Sequence, residues 1–392
     1  MGLRFHLIAM TLVAVISDAM LMPFFPRYFA ERFGIHDPSH VGLYIAAICL
    51  TATLALPLWT RVVRGRGTLQ LLCWTQAGAG LLSIAAGLCD SLVAFWLLSL
   101  CMIAFKASYL LIYPYLMQAE PASSHAHTIG VLSIVVHFGG IAGALSGGSA
   151  LQFLPVQQAY LLMALGDFIQ MGMCMHVLRR GLARAETWPA MTTDPRPRSQ
   201  QLGIHALGVL MLLFYFSEYH ITPFFVAFWQ ATSGWQADTL AAAVYAIPAG
   251  MALLALMWNR RRGGGGLASA VHVCLPMGMA GIALQAIGDP VWILVGRALF
   301  GWSLFQMTVR LDARLFELST PDRYARDYSR INFYQNVGVL MSSSAAGLLV
   351  ERHGLHAPFW VAIGGYLLCW LLYPLLSGST TPSAQGAGHA RA

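Results

Sequence analysis

Long apolar runs, cut at short intervals by polar, glycine-rich or basic connectors, cover almost the whole chain, and the pattern predicts twelve helical spans. They fall near residues 5–29, 39–60, 68–88, 91–116, 127–151, 157–178, 202–229, 236–258, 267–287, 290–311, 330–350 and 357–376. Most hold about 20 residues, the length an α-helix needs to cross a hydrocarbon core. The longest connector, 179–201, is polar and contains Pro189, Pro195 and Pro197. It reads as a flexible cytoplasmic linker between residues 1–178 and 202–376. Residues 377–392 are small and polar and read as a disordered cytoplasmic tail. The predicted fold class is an all-α membrane protein with twelve transmembrane helices in two six-helix repeats.

The repeat is visible residue by residue. Asp18 precedes Pro23-Phe24-Phe25, and Glu218 precedes Pro223-Phe224-Phe225 at the same spacing. Further along, Trp59 matches Trp258 and Asp90 matches Asp289 at an offset of 199. Gly139, Gly143 and Gly147 match Gly338, Ser342 and Ala346. Small residues at every fourth position form a groove where another helix can approach closely. Gly139, Gly143, Gly147 and Gly338 are therefore predicted helix-packing positions.

Composition excludes a soluble domain. Charged residues make up 10% of the chain and hydrophobic ones 57%, with a mean hydropathy of +0.63; soluble domains carry about 25% charge. The net charge of +7 does not indicate nucleic acid, because the arginines are scattered through short connectors. The seven cysteines lie in or beside apolar runs without paired spacing, so neither a disulfide framework nor a zinc site is expected. His125-Ala126-His127 has no carboxylate or Cys at metal spacing, and Gly263 to Gly266 lacks the Lys-Ser/Thr ending of a phosphate loop. No enzyme activity, cofactor or metal is expected. The expected partners are the lipid bilayer, a small-molecule substrate and protons, with the chain a monomer.

A few polar residues interrupt the apolar spans, where they are costly. Asp18 sits about 20 Å along the first helix, and Glu218 holds the equivalent place with His220 nearby. Asp18, Glu218 and His220 are the candidate proton-coupling residues, since a carboxyl group in a low-dielectric site can be tuned to titrate. The alternative for each acid is a hydrogen-bonded structural network. Pro23, Pro26 and Pro223 predict kinks after both acids. Lys106, the one lysine, lies in the fourth span with Tyr109 and Tyr113 following on the same face. Lys106, Tyr109, Tyr113, Arg297, Gln306 and Asp167 are the candidate substrate-binding residues. The ammonium and guanidinium point to a small organic anion or zwitterion. Ion pairing of Lys106 with Asp18 or Asp167, and of Arg297 with Glu218, is the structural alternative. His137 reads as a packing residue beside the glycine stripe.

With its twelve spans, central linker, related halves and basic turns at Arg61–Gly67 and Arg260–Gly266, the chain resembles the major facilitator superfamily. The likeness covers essentially the whole chain. It departs in detail: Thr60 to Gly67 has no Asp, the fifth helix lacks a Gly-Pro pair, and an Arg-x-x-x-Gly pattern occurs on helix ten as Arg297 and Gly301. What the resemblance implies is a secondary transporter of the inner membrane working by alternating access. Asp18 to Gly34 is similar to exporters and permeases associated with carboxylate siderophores, and export is the favoured direction. An uptake permease and a multidrug efflux antiporter are alternatives, and a non-transporting sensor or scaffold is a reading from another class. An intramembrane enzyme would need a catalytic cluster that these short loops lack.

The arginines fix a predicted topology. Arg61, Arg64 and Arg66, then Arg179 to Arg198, Arg260 to Arg262 and Arg310 to Arg330 fall on one side, leaving Arg27, Arg32 and Arg352 on the other. By the positive-inside rule both termini are cytoplasmic. Cysteines introduced at Ser39, Asp90, Gln157, Gly234 and Asp289 should all react with an impermeant reagent from outside; two or more protected from outside and labelled only from the cytoplasm would refute this arrangement.

Overall fold

The computed structural model describes residues 2–63, 67–119, 125–183, 198–261, 271–319 and 324–378. Most of the linker, the greater part of the tail, Arg64, Arg66 and Gly263 to Gly266 lie outside these residues. Among the described residues there are helices and turns but no strand. Nine helical stretches among the described residues are long and apolar enough to cross a membrane, and Val271–Ala286 is a shorter apolar helix. Their outward faces carry Leu54, Trp74, Val93, Leu97 and Val273 at more than 60% exposure, a surface that water would not tolerate but lipid would. The chain is a multi-pass membrane protein.

The predicted kinks are full breaks. Helix α1 (Leu3–Ala19) gives way to a 3-10 turn at Met22–Phe24 and then α2 (Phe25–Phe33). Pro23 and Pro26 supply no N–H, so the α-helical ladder cannot continue through them. Helix α3 (Pro38–Val62) follows, then α4 (Thr68–Leu88) and α5 (Leu92–Lys106). A second 3-10 segment, Ala107–Leu111, separates α5 from α6 (Ile112–Ala119). The half closes with α7 (His125–Phe153) and α8 (Gln158–Arg179).

Beyond the linker come α9 (Arg198–Tyr219), a 3-10 turn at Thr222–Phe224, α10 (Phe225–Ser233) and α11 (Asp238–Arg261). Then follow α12 (Val271–Ala286), α13 (Pro290–Leu318), α14 (Tyr324–His353) and α15 (Ala357–Gly378). The Pro-Phe-Phe segments adopt the same backbone: Phe24 has φ −112°, ψ 4° and Phe224 has φ −111°, ψ 2°. Each short helix then ends on a left-handed glycine, Gly34 at φ 66° and Gly234 at φ 73°. Packing repeats as well, with α1 on α7 and α8 matched by α9 on α14 and α15. Helices α3 and α14, and α7 and α11, pack across the two sequence halves.

Two helices depart from the sequence reading. α13 runs to Leu318 and α14 starts at Tyr324, so Asp312 and Tyr328 belong to helices instead of a connector. Arg310 and Arg314 dilute the hydropathy there without ending the helix.

Glycines on α7 let α1 approach. A Cβ on Gly143 would stand 2.7 Å from both the Ala19 Cβ and the Ile16 carbonyl oxygen. Gly139 faces Val15, Gly147 the Met20 carbonyl, and Gly338 the Leu212 carbonyl on α9. Gly140, one position away from the stripe, has nothing within 4 Å among the described residues. Gly143→Ala should therefore destabilise by about 1–3 kcal/mol through overpacking. Gly140→Ala should be neutral or stabilising, because it gains helix propensity. Thermal unfolding of the two purified variants checks the difference, and equal stabilities would refute the close approach.

Candidate functional site

Lys106 ends α5 inside the protein, 3% exposed. Its Nζ lies 2.7 Å from Asp18 Oδ1 on α1 and 3.0 Å from Asp167 Oδ1 on α8. The Ser17 Oγ is 3.4 Å away. Asp167 also accepts a hydrogen bond from Ser83 on α4, at 3.1 Å, and is 0% exposed. Asp18 is the open member, its side chain 32% exposed. One ammonium thus holds two carboxylates, a sealed one and an accessible one. A solute carboxylate can reach Lys106 only by displacing Asp18, so the expected anion-attracting role of Lys106 is already filled from within. Asp167 is sealed from any solute.

Close packing makes the triad possible. A Cβ on Gly166 would stand 2.8 Å from the Ser17 hydroxyl, so α8 offers no side chain where α1 crosses it. Tyr109 sits in the 3-10 segment, half-buried, and Tyr113 follows on α6. The Tyr113 ring stacks on Tyr328 of α14, with centroids 6.3 Å apart and planes at 15°.

The second half keeps the scaffold and changes the chemistry. Gly365 abuts Ser217 as Gly166 abuts Ser17. Phe305 and Tyr366 stand where the first half has Lys106 and Asp167. Arg297 enters from α13 instead and is 4% exposed. Its guanidinium donates to the Tyr245 carbonyl oxygen and lies 4.0 Å above the Phe225 ring. Its Nε has no hydrogen-bond partner among the described residues. Glu218 is half-buried and makes no ion pair within 4 Å among the described residues, although it lies in the field of Arg297.

Other expected residues have local partners. The His220 Nδ1 lies 2.7 Å from the Ser342 Oγ and 2.8 Å from the Phe216 carbonyl oxygen, which ties α9 to α14. Gln306 exchanges hydrogen bonds of 2.9 Å and 3.1 Å with Asn259 and accepts another from Arg310. The His137 ring meets Phe305 edge-on at 5.7 Å. No group of His, Cys, Asp or Glu among the described residues could hold a metal ion.

Sequence reasoning missed Asp312, Tyr215, Tyr219, Tyr245 and Tyr328. All are half-buried and lie in one another's fields or those of Glu218 and Arg297. The signal for the tyrosines was spacing: Tyr215 and Tyr219 share a helix face one turn apart, with Glu218 beside them.

No protein-family profile matches the sequence, and no curated protein matches it. Solved structures do. The chain is similar to the nucleoside transporter NupG, with a TM-score of 0.74 at 12% identity, covering 96% of this chain and 99% of that one. A bacterial homologue of the human lysosomal transporter Spinster, inward-facing and occupied, gives 0.73 at 12%, covering 96% of each chain. The human organic anion transporter MFSD10 (TETRAN) gives 0.69 at 14%, covering 95% of this chain and 100% of that one. The chain has the major facilitator fold.

The triad makes a stability prediction. Lys106→Met leaves Asp18 and Asp167 facing each other without a cation and should cost about 3–5 kcal/mol. Adding Asp167→Asn should restore much of the loss, since the second half holds the same crossing with Phe305 and Tyr366. Thermal unfolding of wild type and both variants tests this; a double variant no better than the single one would count against the ion pair.

Proposed function

We propose that the chain is a secondary active transporter that moves a small organic anion or zwitterion across the inner membrane, coupled to protons. Residues 1–178 and 202–376 act as two six-helix bundles, twelve spans in all, that rock about a central site. The observation that carries this reading is the Lys106 ammonium between sealed Asp167 and open Asp18. A carboxylate shared with a buried cation and reachable from solvent can take up and release a proton without unfolding its surroundings. Glu218, without an ion pair among the described residues and on the equivalent helix, is a second candidate for the transported proton.

Arg297 supports recognition of a carboxylate. Its Nε is unpartnered among the described residues, and the aromatic ring beneath it excludes water from one face. Lys106 takes part only when Asp18 is protonated and releases it. An acid-lined, tyrosine-rich interior favours a second reading, a multidrug antiporter for organic cations. Export is the favoured direction, and a solute amine competing with the proton at Asp18 or Glu218 would drive it.

The test begins with a thermal-shift panel of mono-, di- and tricarboxylates, amino acids, cationic drugs and neutral sugars on purified protein. Carboxylate-bearing solutes should stabilise wild type, and Arg297→Gln should lose that effect. Cationic drugs binding best, with Arg297→Gln unchanged, would replace the anion or zwitterion reading with the multidrug one. The best-binding solute then enters proteoliposomes. Asp18→Asn or Glu218→Gln should lose at least tenfold of pH-driven accumulation while exchange down the solute gradient stays within about twofold. Uphill, pH-dependent transport in both variants would sink the coupling role.

A further inference from the structure

The interface of α4 and α8 holds polar atoms that the ion triad does not use. Gln76 is 1% exposed and Gln170 2%. Neither end of the Gln76 amide, nor the Gln170 Oε1, has a hydrogen-bond partner among the described residues. Contacts on either side place the two amides opposite each other. Ser83 bonds Asp167 at one end, and the thiols of Cys73 and Cys174 meet at the other. Gln76 lies between Cys73 and Ser83 on α4, and Gln170 between Asp167 and Cys174 on the antiparallel α8.

Packing does not demand these amides. At the matching positions the second half has Leu275 and Cys369, both buried. That half also lacks the lysine–aspartate pair. The glutamines and the ion pair therefore occur together, one turn apart along α8. A buried amide left unpaired is strongly disfavoured, whereas a water molecule with a few polar partners satisfies it.

We propose that Gln76 and Gln170 wall a buried water-binding pocket that carries protons to and from Asp167. The proposal rests on the proton-coupled reading above and adds a route that the solute does not share. A hydronium ion in the pocket gives its proton to the Asp167 carboxylate, leaving a neutral acid and a water molecule. Lys106 then keeps Asp18 as its single counter-ion. The reverse step returns the proton to water. The groups facing Asp167 are Lys106 from α5, Asp18 from α1 and Ser83 from α4, with Cys73 and Cys174 at the far end of the pocket. Gln76 and Gln170 are positioning residues, since they hold the water and do not titrate.

Two measurements test it, neither needing the solute. A high-resolution map of wild-type protein in lipid nanodiscs should show ordered water bonded to both amides. A direct Gln76–Gln170 hydrogen bond with no water would overturn the proposal. Second, infrared difference spectra between low and high pH should contain a carboxyl band that Asp167→Asn removes. Transfer to D2O should shift that band in wild type and shift it at least tenfold more slowly in Gln76→Leu/Gln170→Leu. Absence of the band, or an equal exchange rate, would also overturn it. Should the double variant fail to fold, the water map and the wild-type band still decide. Coupled transport surviving in both Asp18→Asn and Glu218→Gln would remove the broader reading while leaving these two results to stand or fall by themselves.

Discussion

Burying one ammonium in the middle of a membrane protein sets most of the first half's design. A lone charge in a low-dielectric interior is prohibitive, so Lys106 must be given counter-charge and hydrogen bonds. That requires α1, α5 and α8 to converge within a few ångströms, with α4 close enough for Ser83 to hold Asp167. Convergence in turn requires a missing side chain at Gly166 and the glycine stripe that seats α1 against α7. The 3-10 segment after Lys106 contains Tyr109 and leads on to Tyr113. The charge, the small residues and the local helix geometry are parts of one solution.

The second half shows what the scaffold looks like without that demand. Ser217 against Gly365 keeps the same crossing, but Phe305, Tyr366, Leu275 and Cys369 replace Lys106, Asp167, Gln76 and Gln170. Its buried cation is Arg297, held by a carbonyl oxygen and aromatic rings instead of a carboxylate. The two halves meet at matched places: Ser39 bonds Glu351, and Thr239 bonds Gln152 at 2.5 Å. These pairs lie at equivalent positions in α3 with α14 and in α11 with α7. Arg27 and Asp238 add a pairing between α2 and α11 that has no counterpart.

The sequence was most legible where a backbone rule forces a residue type. Proline after Asp18 and Glu218 announces a break whatever surrounds it, whereas the left-handed caps at Gly34 and Gly234 came to light only in the structure. It was less legible where a partner comes from far along the chain. Lys106 stood out as a buried cation, but nothing in its neighbourhood could decide between Asp18 and Asp167, and the structure uses both. Gln306 and His220 looked like site residues because polar side chains are rare in these spans, yet each bonds a partner on another helix, Asn259 on α11 and Ser342 on α14. Asp312 was lost for the opposite reason. Arg310 and Arg314 made the end of α13 look like a connector, so an acid inside a helix was counted as one outside it.

The charge inventory ties the sign of the proposed solute to its direction. Lys106 and Arg297 stand against Asp18, Asp167 and Glu218, so with every one of these groups ionised the two clusters together carry more negative charge than positive. Two unit charges about 4 Å apart at an effective dielectric near 20 interact by about 4 kcal/mol, enough to decide which charge state binds. A plain anion adds to the excess and needs a proton on one carboxylate before it can settle. Proton and anion then travel together, which describes uptake down an inward proton gradient. A solute with a basic nitrogen does the reverse: its ammonium satisfies the carboxylate that the proton would occupy, and binding expels the proton. Export by proton exchange therefore calls for a zwitterion, its carboxylate on Arg297 and its amine at Asp18 or Glu218. A purely anionic solute would make the same residues an uptake system.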